Sequence, residues 1–442
     1  MIEPRRAPHL PQIHPAAWHG PIGEAVVRIA PVTEADPVAV LASCLALFGA
    51  MAGDNAYVRV GGVQHPARIW PLVVGKTGAG RKGTSMAEAR NLARGWGGYA
   101  EAYTRHRVTG GLASGEGLIT ALGGAVGTRG GAKGEEPQQQ EAAAPDGKLT
   151  AVESEFARVL SAAKRDGSTL GPIMRQLWDD GAASILTKAA PMSVQGAHLT
   201  VIAHVTPREL RLRLAESDLA GGTLNRFLLV GSERPHLLAH ERPHPDVEDQ
   251  GRWLAKALDA VRVGGGELRR DRAADGLWEA VYAALCADEP DGQLGSVLAR
   301  GPAYTMRLAL AYALADGCGA IQPRHLLAGL ALWQYSAATA RLVFPEGSAR
   351  VVMERLAGFL ATAGDAGRTR TEITQHFARN KSAGELGALL DEFERHGQVT
   401  IAKEGRDGAG RPALRYRWVG RNLDPMAELL ARYYELNERT NN

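Results

Sequence analysis

A chain of 442 residues exceeds what one hydrophobic core ordinarily serves, so two or three domains are expected. With 45% hydrophobic and 22% charged residues, no secretory leader and no apolar run of membrane-spanning length, the composition is that of a soluble cytoplasmic protein and excludes disordered and membrane-embedded classes. Cys44, Cys286 and Cys318 are dispersed, which excludes a disulfide framework and a CxxC zinc site, and a net charge of +3 is too small to argue for nucleic acid by itself.

Residues 1–20, rich in Pro and His, read as an extended, poorly fixed arm. From Pro21 a helical periodicity begins, and Asp36-Pro37 is a helix start, with Asp at the N-cap and Pro in the first turn of the apolar VAVLASCLALFGAMAG. AYVRVGG and ARIWPLVVG follow as strands, the second apolar enough for the centre of a parallel sheet. Next come the loop GKTGAGRKGTS and a helix. Residues 123–147 are low-complexity without apolar anchors and predict a disordered insertion. LTAVES, LTVIAHVT and RFLLVG continue the strands with helical segments between, so 21–244 is predicted as an α/β core with a parallel sheet. The pattern over 245–350 is all-helical and predicts a lid domain. Over 351–421, two short helices and the Gly-rich hairpin QVTIAKEGRDGAGRPALRYRWVG predict a winged helix, and 422–442 a further helix and tail.

The loop between strand and helix has the context of a phosphate loop, where glycines let backbone N–H groups converge on phosphate oxygens and a lysine neutralises charge. The pattern GxxxxGK[ST] is not met: Gly75 to Lys82 is one residue too long, Arg81 stands where Gly should precede the lysine, and Gly83 separates Lys82 from Thr84. Gly75, Gly78, Gly80, Arg81, Lys82, Gly83, Thr84 and Ser85 nonetheless supply the chemistry to hold ATP, with Thr84 or Ser85 on Mg2+. LTAVESEF offers two acids, Glu153 for the metal side and Glu155 to orient water, although such pairs also open helices. His204 and Thr206, at the tip of the next strand, lie where a γ-phosphate sensor would; the alternative is a strand-end His bonded to backbone. Arg226 is either a finger reaching a neighbour's nucleotide or a strand-start arginine, and Arg307 either a second phosphate-directed arginine or part of a structural salt bridge. Lys164, Arg165 and Arg175 read as a solvated basic loop, the alternative being a mobile loop facing a central channel. In the C-terminal hairpin, Lys403, Arg406, Arg411, Arg415 and Arg417 cluster around a Gly-rich tip and suit DNA phosphates, whereas the preceding helix is acidic and unsuited to base reading.

Taken in order, HGPIGEAVVRIAPVTEADP, the RKGTS loop, VESEFARVL, TLGPIMRQLWDDG, AHVTPREL, LNRFLL and RLALAYALADG resemble the DUF3987 family, P-loop ATPases of bacterial plasmids, phages and integrative elements often adjacent or fused to primase-polymerase domains. The resemblance spans residues from about 18 to 420, and in that family the loop reads close to VGRTxKxRKGTS. It implies a RecA-like or AAA-like P-loop NTPase core, Lys82 and Thr84 in the phosphate and magnesium roles, and a DNA helicase or translocase acting as an oligomeric, hexameric ring in replication of a mobile element, with any primase or initiator a separate chain. An ATP-dependent initiator or loader on origin DNA, and a non-catalytic DNA-binding regulator with a decayed loop, are the alternatives.

Overall fold

The computed structural model describes residues 10–126, 147–186, 191–214, 222–240, 242–286, 293–344, 349–377, 382–395, 397–404 and 413–419. The chain divides into two compact units, residues 1–344 with 432–442, and 345–431. The low-complexity stretch beyond 126 and the tail expected at 422–442 lie outside the described residues.

In the first unit, five strands form one parallel sheet: β1 (Pro71–Val74), β2 (Val108–Thr109), β3 (Lys148–Glu153), β4 (His198–Val205) and β5 (Leu228–Gly231), in the order β5-β1-β4-β3-β2. Every residue of β1, β4 and β5 is buried, so both sheet faces are covered, as parallel strands require. Helix α1 (Pro37–Ala52) lies across β3, β4, β1 and β5. Asp36 caps it as expected, accepting from the Val38 and Ala39 amides at 2.9 and 3.1 Å. Gly49 lets α1 approach closely, since a Cβ there would lie 2.0 Å from the Ala67 carbonyl oxygen.

The helical segment after 245, through residue 344, falls in the same compact unit as the sheet. Its helices α3 (Gly301–Ala315) and α4 (Pro323–Val343) are buried along most of their length, and Tyr335 of α4 donates to the Gly231 carbonyl of β5 at 2.9 Å. The N-terminal arm is fixed from residue 10 onward. Ala17 accepts from the Tyr312 hydroxyl at 2.7 Å, and Asp316 bridges His19 and His325 at 2.7 and 3.1 Å. These three are, among the described residues, the one His and carboxylate group tight enough for a metal. The Gln322 amide donates to His325 Nδ1 at 3.0 Å and His325 Nε2 faces Asp316, so the three side chains form a hydrogen-bonded tie between the arm and the start of α4. Burial alone would raise the Asp316 carboxyl, but the two histidines hold it below the ordinary range.

At the amino ends of the strands, Arg68 is fully buried. It donates to Asp54 at 2.6 Å and to the Trp178 carbonyl at 2.8 Å, while His198 meets Asp54 at 2.7 Å. Arg307 donates to the Arg68 carbonyl at 3.1 Å and lies 3.6 Å from the centre of the Trp178 ring. Trp178 is itself fully buried in the helix Leu170–Asp179, so the stretch expected as a basic loop is in part a packed helix.

The second unit, as described, has helices Ala349–Ala361, Arg370–His376 and Ala383–Arg395 and a three-stranded antiparallel sheet in which Ala413–Trp418 lies between Arg368–Thr369 and Val399–Glu404. Its own core includes Leu360, Ile373, Phe377, Leu390, Phe393 and Tyr416. Among the described residues no helix is long and apolar enough to cross a membrane.

Burial alone would raise the Asp54 carboxyl, but Arg68 and His198 bring it down to about 2. A carboxylate lowered by folding stabilises above its unfolded value and loses that contribution as pH falls through the folded one. Stability is therefore expected to drop between about pH 4 and pH 2. Asp54→Asn, which strands the buried Arg68, should lower unfolding free energy at pH 7 by about 3 kcal/mol in denaturant titration and flatten that acid limb.

Candidate phosphate site

Strand β1 runs out at Val74, and the Gly75 amide donates to the Val205 carbonyl at the tip of β4, 3.1 Å away. The chain must then turn back within seven residues to start helix α2 (Lys82–Arg94). Two glycines are required by closeness. A Cβ on Gly75 would lie 2.5 Å from the Ser232 carbonyl oxygen, and one on Gly80 2.7 Å from that of Lys76. Gly78 supplies a left-handed turn at φ +70°. The loop is braced by Gly80 N–H to the Lys76 carbonyl at 2.8 Å, by the Ser232 hydroxyl to the Gly80 carbonyl at 2.6 Å, and by the Arg234 amide to the Ala79 carbonyl at 3.0 Å.

Arg81 explains the departure from the common motif. It is the sole non-glycine with positive φ among the described residues, at φ 45° and ψ 25°. The position that asks for glycine is thus still left-handed, and an arginine fills it, held by an ion pair with Glu34. Lys82 opens α2, and its ammonium folds back over the loop to donate to the Gly75 carbonyl at 2.7 Å. Burial lowers its pKa, and the Glu209 carboxylate opposes that shift. The first amides of α2 have no partner within the helix, and Arg81 offers them no side-chain cap, so they present N–H groups where an anion is favoured. This corner lies at the carboxyl ends of parallel strands, where ligands of open α/β sheets bind.

The remaining predicted residues divide. Ser85 is buried, donates to the Arg81 carbonyl and accepts from the Asp36 amide, both at 3.1 Å, so its hydroxyl braces the loop, whereas Thr84 is half-buried. Glu153 ends β3, but one carboxylate oxygen accepts from the Gly111 and Leu112 amides at 2.7 and 2.6 Å and the other from Arg158 at 2.9 Å. Both oxygens of the Glu153 carboxylate are thus engaged within the protein, whereas Glu155, two residues on, is exposed. A magnesium ion carried in by nucleotide phosphates fits the Thr84 hydroxyl and an exposed acid better than Glu153. Thr206 caps the helix Pro207–Arg213, with the Glu209 amide donating to its hydroxyl at 3.2 Å.

Two arginines are corrected. Arg307 belongs to the Arg68 and Trp178 network at the amino ends of the strands, the end opposite the loop. Arg226 precedes β5 at that same end, its side chain 8% exposed and paired with Asp179, so it does not project as a finger. Of the hairpin cations, Arg417 is exposed and Arg415 half-buried, Lys403 lies on strand Val399–Glu404, and Arg406 and Arg411 fall outside the described residues.

Sequence reasoning missed a cavity of about 370 Å³ between α2 and the tips of β3 and β4, lined by Gly83, Arg90, Asn91, Arg94, Ser154 and His204 among others. Spacings of seven and four residues from Gly83 to Arg90 to Arg94 mark one helical stripe, a signal visible in the sequence. Burial, with the Lys82 and Arg90 charges, takes His204 down to about 4, so its imidazole is neutral at pH 7.

No family model matches the sequence, and no curated protein does. Among solved structures the chain is similar to a full-length MCM homolog from Methanopyrus kandleri, at 16% identity and a TM-score of 0.43, over 75% of this chain and 64% of that one. This chain therefore spans less than two thirds of that relative's length, and a likeness so remote carries no weight for function.

If Arg81 occupies a glycine slot, Arg81→Gly should melt within about 2 °C of the parent, the relief of backbone strain offsetting lost contacts and added chain entropy. Arg81→Val, β-branched and intolerant of positive φ, should be destabilised by about 1–2 kcal/mol in the same melts.

Proposed function

We propose that the chain is a P-loop ATPase of the DUF3987 type that couples Mg-ATP hydrolysis to work on DNA during replication of a mobile element, assembled as an oligomeric ring. The observation that carries this reading is the loop itself: a glycine-built turn from a buried parallel strand into a helix, with Lys82 folded over it and a left-handed residue before the lysine. An unbraced basic surface turn would have no reason to hold φ +45° at an arginine or to exclude side chains at two positions. The strand order supports a RecA- or AAA-like core, with β4 interposed between the loop strand and the acidic strand.

On this reading Lys82 neutralises the terminal phosphates, the α2 amides receive their oxygens, and Thr84 meets the magnesium that ATP brings. Glu155 is the exposed acid on the β3 side for orienting water. With Arg226 and Arg307 engaged at the far end of the sheet, a cation acting across a subunit boundary must come from another residue. The second unit supports a DNA-facing role as a winged helix, its wing the hairpin Val399–Glu404 and Ala413–Trp418. Phosphate contacts by such a wing give non-specific affinity, in keeping with the acids Glu385, Asp391, Glu392 and Glu394 on the helix before it.

ATP turnover should rise with single-stranded DNA and be abolished by Lys82→Ala; turnover indifferent to that substitution, or none with any DNA, contradicts an ATPase motor and favours the binding regulator. ATP turnover without unwinding favours the initiator or loader. Arg417→Ala should leave sequence preference unchanged and reduce the slope of log affinity against log salt by about 1, measured by fluorescence anisotropy.

A further inference from the structure

We propose that the cavity between α2, the helix Gly20–Ile29 and residues 244–252 binds a small organic polycation, an alkyl polyamine that seats one ammonium against Glu88 and Gln250 and another against Asp246 at the mouth. The lining includes none of residues 75–85, so the site stands or falls apart from the phosphate-loop reading.

The cavity has a volume of about 720 Å³, in the range of sites that take a whole small molecule. Two buried polar side chains line it, Glu88 at 9% and Gln250 at 8% exposed. One Glu88 oxygen accepts from the Thr33 hydroxyl at 2.8 Å and lies 3.7 Å from His244 Nε2; the other has no hydrogen-bond partner among the described residues. Gln250 donates its amide N–H to Glu24 at 3.2 Å, and its carbonyl oxygen has no partner among them either. Buried polar atoms are normally satisfied, and each one left without a partner is costly, most of all on a charged group. Both atoms here are acceptors, so the ligand they call for brings N–H donors.

The rest of the lining gives the charge and the shape of that ligand. No lysine is in it, and its one arginine, Arg252, is matched by Glu248 at 3.1 Å and by Asp249. Glu88 and Asp246 therefore set the sign. Asp246 is exposed, which places it at the mouth, while Glu88 and Gln250 lie at the floor. Between them the walls include Ile29, Leu92 and Trp96, all buried. An alkyl stem covers such walls while its charged ends reach polar groups, and an indole adds attraction for an ammonium. A divalent metal ion fits worse, because it needs several hard oxygens that converge. Among the described residues, no three His, Cys, Asp or Glu groups of this cavity lie close enough together to hold one.

The test is equilibrium dialysis of radiolabelled spermidine against the full chain, without nucleotide or nucleic acid. The parent should bind it saturably. Glu88→Gln should weaken binding about tenfold or more, and Asp246→Asn several-fold. Glu279→Gln, the same change at an exposed position outside the cavity, should keep the parent affinity, as should Lys82→Ala. Putrescine should displace the label, whereas butanediol, a stem of the same length without charge, should not. Circular dichroism checks each fold, and if Glu88→Gln does not fold, Asp246→Asn decides. Spermidine bound as tightly by the cavity variants as by the parent overturns the site, and so does equal weakening by Glu279→Gln, which marks general attraction to acidic surface. Displacement by Mg2+ and not by putrescine makes the site one for a metal ion and overturns the organic cation. Absence of saturable binding in the parent overturns it too.

Discussion

The site depends on one constraint: the chain must leave the buried end of β1 and enter α2 in seven residues while packed against the tips of β4 and β5. That turn has no room for side chains at Gly75 and Gly80, and it forces left-handed backbone at Gly78 and Arg81. Everything chemical about the corner follows from it. The first amides of α2 are left without partners because a helix start has no preceding turn, and Lys82 lies over the loop because the Gly75 and Lys76 carbonyls are the acceptors within reach. Glu34, Asp36 and Ser232, from distant parts of the sequence, all help to hold this turn, and Asp36 caps α1 as well.

The two ends of the parallel sheet carry different kinds of arginine. At the amino ends, Arg68, Arg226, Arg300 and Arg307 are gathered about Trp178; Arg68 pairs with Asp54, Arg226 and Arg300 share Asp179, and Arg307 donates to the Arg68 and Trp178 carbonyls. Charges buried with that many partners hold architecture together and are not free to meet a substrate. At the carboxyl ends, Arg90 and Arg94 share a cavity that has no acid in its lining.

Much of this was legible in the sequence. The Asp36 cap, the apolar run of β1, the alternation of strand and helix, and the Gly-rich turn before Lys82 are local features, and each appears where its pattern places it. What depended on three-dimensional neighbours was not. Glu153 looks like a metal acid from its strand end, but the Gly111 and Leu112 amides that occupy it lie some forty residues upstream. Arg226 and Arg307 read as phosphate-directed because a sequence does not show the distant groups that engage them, Asp179 for the one and Trp178 and the Arg68 carbonyl for the other. The helical stretch after 245 reads as a lid because its pattern is helical, whereas α4 is the partner that covers edge strand β5. The stripe of Gly83, Arg90 and Arg94 was present in the sequence, and it acquires meaning only when β3 and β4 close the other wall.

The most direct test of the central claim, that residues 75–85 cradle the phosphates of a nucleotide, is hydrogen–deuterium exchange of the full chain with and without Mg-ATP. The account predicts slowed exchange confined to the loop, the first turn of α2 and the tips of β3 and β4, absent in Lys82→Ala. Exchange unchanged in the loop, or protection elsewhere in the chain and insensitive to Lys82, would contradict it.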